Sequence, residues 1–193
     1  GSQGTDEEIP QLLRDENGTP VRTKIGDPNP DFHLKSATRM SWKGFSAYML
    51  WDWKQGGDIY NRTGQWLTRD NRAGIMDQSG KTPNEKKTVA YYKAFYQTNS
   101  HNNFWVEDGT YLKLREFSLY YTLNSDVLGG VFNNFIKEMK IGVIGKNLLT
   151  ITNYSGYDPE VQTENDSGTQ GFAYDFAGYP NFRTISGSLE FKF

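Results

Sequence analysis

The sequence predicts an all-β chain of antiparallel strands forming part of a transmembrane β-barrel wall with long extracellular loops. Three observations carry that expectation. Segments of about ten residues alternate apolar and polar side chains, the period of a strand with one apolar face. The connections between those segments run short, long, short, long, and bacterial outer-membrane barrels sort their loops in this way, tight at one rim and extended at the other. The last stretch, Arg183-Thr-Ile185-Ser-Gly187-Ser-Leu189-Glu-Phe191-Lys-Phe193, alternates down to a bare phenylalanine. Chain ends of soluble domains are usually frayed and polar. The final strand of a barrel instead closes against the first and sets its terminal aromatic at the lipid–water interface.

Composition agrees. The chain has 193 residues, enough for one domain with a core, and a net charge of −2 that offers nothing to nucleic acid. Its 12 Tyr, 12 Phe and 5 Trp bring the aromatic content to 15%, and Gly is plentiful at 20 residues. No cysteine is present, so neither a disulfide framework nor a thiolate metal site is available. No run of about 20 apolar residues exists for a helical span, but a barrel needs none, because only alternate strand residues meet lipid. The N-terminus shows no export signal; for an outer-membrane protein this leads us to expect that the chain is a fragment whose N-terminal part is absent.

Residues 1–30 are polar, with turn signals at Asn17-Gly18 and Asp27-Pro28-Asn29-Pro30, and read as an extracellular loop with room for a short hairpin. Residues 31–193 read as barrel strands and their loops. The first strand, Phe32 to Trp42, turns its even positions to lipid and His33, Lys35 and Arg39 to the interior. A tight turn at Lys43-Gly44 leads to a second strand, Phe45 to Trp53, with odd positions outward. A long excursion from Gln55 to Asp108 follows, opening on Gly56-Gly57-Asp58-Ile-Tyr60-Asn61 and holding a helix-like stretch, Thr88 to Tyr96. Connections of such length inside compact domains are usually functional.

The third strand, Thr110 to Leu123, has two phases: Leu112 and Leu114 share one face, and Phe117, Leu119, Tyr121 and Leu123 the other. Either a bulge shifts the register near Arg115, or Lys113 and Arg115 point outward above the lipid. A connection from Asn124 to Lys137 with an apolar helical turn leads to a fourth strand, Met139 to Leu149. A second excursion, Thr152 to Pro180, precedes the closing strand. With Phe193 at the periplasmic rim, both short connections are periplasmic and both excursions extracellular. About five strands cannot close a barrel, whose smallest bacterial forms have about eight, so other polypeptide must complete the wall.

Several motifs in order resemble the SusC/RagA family of TonB-dependent transporters. They are Ile25-Gly-Asp-Pro-Asn-Pro30-Asp-Phe32, Gly57-Asp-Ile-Tyr-Asn61, Val106 through Leu123, Gly145-Lys-Asn-Leu148, Gly156-Tyr-Asp-Pro-Glu-Val161 and Gly178-Tyr-Pro-Asn-Phe-Arg-Thr184. The resemblance spans residues 25–193 and implies the last strands of a barrel of about 22 strands around a plug. It implies import of oligosaccharides or peptides across the outer membrane of Bacteroidota, with a SusD-like surface lipoprotein as lid and TonB acting through the plug. Remaining barrel, plug and outer-membrane lipid are the other implied partners. Before residue 25 the chain departs from the family: Asp15-Glu16-Asn17-Gly18 is only a remnant of an acidic loop that resembles a calcium site in other members. The Leu189-x-Phe191-x-Phe193 ending is similar to the signal read by the barrel-assembly machinery, whose physical basis would be strand addition.

No motif for catalysis, cofactor or metal is present. H-E-x-x-H, G-x-S-x-G and phosphate loops are missing, and the carboxylates are scattered. His33 and His101 are isolated; His33 reads as a lumen-lining polar residue. Asn61-Arg-Thr63 fits a glycosylation acceptor without consequence in a bacterium. Trp66, Trp105, Tyr157, Phe172 and Tyr174 lie in the excursions and are candidates for packing on the apolar faces of sugar rings, or alternatively for packing the loops together. Trp42, Trp51, Trp53, Tyr121 and Phe193 read as interfacial girdles. The competing reading is a soluble extracellular β-sandwich that binds glycans, and behind it a secreted glycoside hydrolase.

Overall fold

The computed structural model describes residues 3–96, 101–132, 135–160 and 173–193, with backbone only for 129–132. The chain forms two compact units. One comprises residues 30–56, 110–153 and 180–193, the other residues 1–29, 57–109 and 154–179.

The first unit is a five-stranded antiparallel wall built from β1 (Pro30–Trp42), β2 (Phe45–Gly56), β5 (Tyr111–Asn124), β6 (Glu138–Thr152) and β8 (Thr184–Lys192), paired in that order. The remaining strands, β3 (Asp58–Asn61), β4 (Val106–Asp108) and β7 (Tyr174–Asp175), belong to the second unit. Lys43 and Gly44 both take positive φ, 45° and 86°, in the two-residue turn that joins β1 to β2. Two left-handed residues match the twist of a hairpin, and a Cβ on Gly44 would sit 3.1 Å from the Tyr121 ring.

Register makes the alternation three-dimensional. Trp42, Phe45, Tyr121, Ile141 and Leu189 are successive partners across all five strands, as are Met40, Ala47, Leu119, Val143 and Gly187 in the next such row. A third row on this face joins Leu34, Trp53, Leu112 and Ile151. The intervening rows are polar, such as Arg39, Tyr48, Ser118, Ile144 and Ser186, or Lys35, Asp52, Lys113 and Thr150. Lys140 faces Glu190, and Glu138 faces Lys192. The apolar face is bare: Val143 is 56% exposed and Ile185 71%.

The two phases of the third strand resolve into a β-bulge. Both pairings of β5 step over Arg115, from Leu114 to Glu116. The extra residue restores the phase, so Leu112 and Leu114 share the apolar face with Phe117, Leu119, Tyr121 and Leu123. Opposite the bulge, Asn147 has φ 51°, a conformation Asn tolerates better than most residues. Gly142 on the polar face lies under Tyr120, whose ring occupies the space a Cβ would need.

The helix α1 (Arg62–Arg69), the helix α2 (Val89–Ala94) capped by Thr88, and a three-stranded sheet in the order β4-β3-β7 make the second unit. β7 runs parallel to β3, with Tyr60 beside Tyr174 and Asn61 beside Asp175. Ahead of these, residues 14–20 close a small hairpin through an Arg14–Pro20 bridge around Asn17-Gly18. In the wall, a third helix, α3 (Ser125–Phe132), lies between β5 and β6. No helix among the described residues is long and apolar enough to cross a membrane, which says nothing about strands.

Candidate functional surfaces

The polar face of the wall centres on Asp52, which is 1% exposed. Strand alternation turns it away from its neighbours Trp51 and Trp53 and onto the same side as Lys35 and Lys113. The Arg115 guanidinium donates from Nε (2.9 Å) and Nη2 (2.7 Å) to Oδ2. His33 bonds Oδ1 through its ring nitrogen, and Lys35 Nζ lies 4.0 Å from Oδ2. A carboxylate so enclosed is tolerable only with such partners. Next to it Tyr111, 3% exposed, has Lys113 Nζ at 5.1 Å, Lys54 Nζ at 5.5 Å and Arg115 Cζ at 5.7 Å from its ring, a phenol face attracting several cations. His33, expected from the alternation to line the interior, lies on this polar face.

In the second unit, Tyr60, Trp105 and Tyr174 form the core, with Phe95, Val106 and Phe176 packed against it. Tyr60 and Tyr174 stack at 5.6 Å with ring planes 9° apart. The Trp105 indole donates to the Phe95 carbonyl at 3.0 Å and meets the Phe104 ring edge-on. Asn61 caps α1 by accepting from the Gly64 N–H at 2.7 Å, and its amide donates to Glu107 (2.8 Å) and Ser155 (3.0 Å). The side chain of the glycosylation-like tripeptide is therefore committed to the fold.

β7 is held through its carboxylate. Thr63 donates to Asp175 Oδ1 at 2.9 Å and Tyr154 to Oδ2 at 2.5 Å. Burial, then the hydrogen bond to Asp175 and the charges of Asp175 and Glu107, pushes the Tyr154 phenol far above the usual tyrosine range. Ala173 and Ala177, on either side of β7, both take positive φ.

The sequence-derived candidates scatter among these environments. Trp105 and Tyr174 are buried at 4% and 7%, in the core just described. Trp66 is half-buried; the Arg69 guanidinium lies 3.7 Å over its ring and Phe176 tilts against it at 5.3 Å. Tyr157 is 78% exposed. Phe172 falls outside the described residues. The structure thus brings Trp66, Trp105 and Tyr174 into one unit core through Phe176 and Tyr60, and leaves Tyr157 apart from them.

Leu189 and Phe191 of the assembly-signal candidate lie on the apolar face, and Phe193, 63% exposed, continues their alternation with its ring against Phe135 at 5.2 Å. In the acidic remnant, Asp15 Oδ1 accepts from the N–H groups of Asn17 (3.0 Å) and Thr19 (2.8 Å), serving its own turn. Further along, the Lys24 ammonium and then the Asn29 N–H groups bring Asp27 down to about 2. Sequence reasoning passed over Asp52 and Tyr111. Asp52 carried a readable signal, a lone acid between two tryptophans whose alternation sends it to the polar side.

Comparison with known proteins gives a consistent picture. No protein-family model matches the chain. It is 31% identical over 182 residues to TonB-dependent receptor P3 of Formosa agariphila, covering 92% of this chain and 18% of the relative. TonB-dependent receptor P39 of the same organism is 25% identical over 201 residues, covering 94% and 18%. The chain therefore spans about a fifth of the length of these relatives. Among solved structures, the RagAB peptide importer in its "closed-closed" state superposes with a TM-score of 0.63 at 20% identity, covering 98% of this chain and 22% of that one. Its "open-open" state gives 0.62 at 18% identity.

Proposed function

We propose that the chain is a SusC/RagA-like stretch of a TonB-dependent transporter, a wall segment and outer loops of a barrel that imports nutrients across the outer membrane. The observation that carries this reading is the register. Five strands place every large apolar row on one bare face and the charged rows on the other, as a wall between hydrocarbon and an aqueous lumen requires. A self-contained sandwich would bury Leu189 and Phe191, which are 56% and 45% exposed. The competing glycan-binding sandwich is not favoured.

In this reading residues 31–193 supply strands and loops of a larger closed barrel, and residues 1–30 an outer loop. The Gln55–Asp108 and Thr152–Pro180 segments face outside and Phe193 the periplasm. A SusD-like lipoprotein covers the outer loops, TonB drives the cycle through the plug, and the assembly machinery reads Leu189, Phe191 and Phe193. The cargo is an oligosaccharide or a peptide. Among the described aromatic candidates, Tyr157 has its ring open to cargo, while Trp66, Trp105 and Tyr174 shape the loops that present it; Phe172 is a further proposed contact.

Growth of a strain lacking the whole transporter gene tests this. It should fail on one class of polymer-derived oligosaccharide or on peptides, and complementation should restore growth. Normal growth and uptake on all such sources would refute an import role.

A further inference from the structure

We propose that Val127 and Phe135, in the connection between β5 and β6, are interfacial anchors that sit among the phospholipid headgroups beside the turn end of the wall. This rests on the reading of the apolar face as lipid-facing and goes beyond it, because an aqueous periplasmic turn is the ordinary expectation for a connection at that rim.

Residues 127–128 and 135–136 of this connection each set one apolar side chain inward and one outward. Leu128 in α3 and Ile136 after it are 4% and 8% exposed, so they pin the segment to the protein. Their immediate neighbours Val127 and Phe135 are 62% and 69% exposed. A turn standing in water has no use for a second apolar side, and large exposed apolar groups usually mark a surface that something covers.

Its surroundings indicate what covers it. The Phe135 ring meets Phe193, which extends the alternating outward positions Leu189 and Phe191, and the Lys137 N–H donates to the Lys192 carbonyl at 2.8 Å. Phe135 is thus continuous with the apolar face of the wall. At the same end Trp42 and Phe45 are partners across the turn, and the Phe45 ring packs on Tyr121 at 4.6 Å. Lys43 Nζ lies 5.0 Å from the Trp42 ring. An aromatic row with a lysine over it, and Lys137 at the end of the connection, is the arrangement that a headgroup layer accommodates: rings at the hydrocarbon boundary, ammonium groups reaching the phosphates.

The chain has no cysteine, so nitroxide labels can be placed singly. In the complete transporter, on a cysteine-free background in nanodiscs of phosphatidylethanolamine and phosphatidylglycerol, Val127→Cys and Phe135→Cys are labelled. Val143→Cys marks mid-wall and Tyr157→Cys the aqueous loops. Collision rates with oxygen and with a water-soluble nickel chelate are then measured. An oxygen-to-nickel ratio at 127 and 135 several-fold above that at 157, and below that at 143, is the expected result. Ratios at 127 and 135 equal to that at 157, with 143 still reading as lipid, overturn the anchor alone, and a protein partner or free turn takes its place. A water-like ratio at 143 overturns the lipid-facing wall and the anchor with it.

Discussion

Arg115 grips Asp52 from the position that both pairings of its strand step over: Nη2 stands 2.7 Å from Oδ2, while Leu114 and Glu116 on either side keep the register. The bulge therefore does two jobs, keeping the apolar phase continuous and delivering a guanidinium to a buried carboxylate. Removing Arg115 leaves the Asp52 carboxylate enclosed with its strongest partner gone.

Asp52→Ala should destabilise the assembled wall by about 1–3 kcal/mol, because Arg115, His33 and Lys35 lose their shared acceptor but keep access to water. The midpoint of urea unfolding of the complete transporter in detergent checks it. Deleting Arg115 should be more severe, since a one-residue slip sends one half of β5's apolar residues to the polar face. Heat-modifiable gel mobility would then show no folded barrel; normal folding of the deletion would show that the bulge is dispensable.

A charge at mid-wall should discriminate the two faces. Val143→Arg is expected to cost about 2–4 kcal/mol in a bilayer, whereas Ser186→Arg, on the polar face beside Ile144, should be nearly silent. Equal folding yields for the two in lipid vesicles would contradict a lipid-facing row.

Gly142→Ala should destabilise by about 1–3 kcal/mol, as the new methyl meets the Tyr120 ring. Pairing it with Tyr120→Ser should recover most of the loss. Unfolding midpoints of the single and double variants give the coupling directly.

In the loop unit, Trp105→Ala should cost about 3–5 kcal/mol of local stability, visible as new cleavage between residues 57 and 109 in limited proteolysis. Tyr157→Ala should leave the cleavage pattern unchanged and weaken cargo binding. A Tyr157 variant with native affinity for the transported cargo would remove that residue from the proposed contacts.

Tyr154 supplies a pH dependence of known sign. Its phenol is raised above the ordinary 10.0 by burial first and then by Asp175, so folding favours the neutral form. That stability is complete below the ordinary value and declines as pH climbs past it, because the unfolded phenol ionises first. Tyrosinate absorbance should show one phenol that ionises only as the loops open, and Tyr154→Phe should abolish that late step.

The wall was legible in the sequence because a period of two survives in every strand, and side-chain direction follows from it. The bulge was half legible: the clash of phases between Leu114 and Phe117 located it, but only pairing shows that Arg115 is the surplus residue. The loop unit was not. Tyr60 and Tyr174 are far apart in sequence and meet through a parallel pairing of two residues, too short to leave a period. Nor does a sequence distinguish a tryptophan facing cargo from one facing its neighbours. Trp105 is enclosed because Phe95 and Phe104 happen to return to it. The helix-like stretch Thr88 to Tyr96, by contrast, was legible, and it holds α2.

The opposed charges on the last two wall strands amount to a proofreading device for assembly. Sliding β8 by two residues is the smallest error that keeps each side chain on its proper face. It would set Lys192 against Lys140 in one direction and Glu190 against Glu138 in the other. A β8 displaced by two residues thus meets mutual repulsion, whereas the native alignment sets opposite signs together.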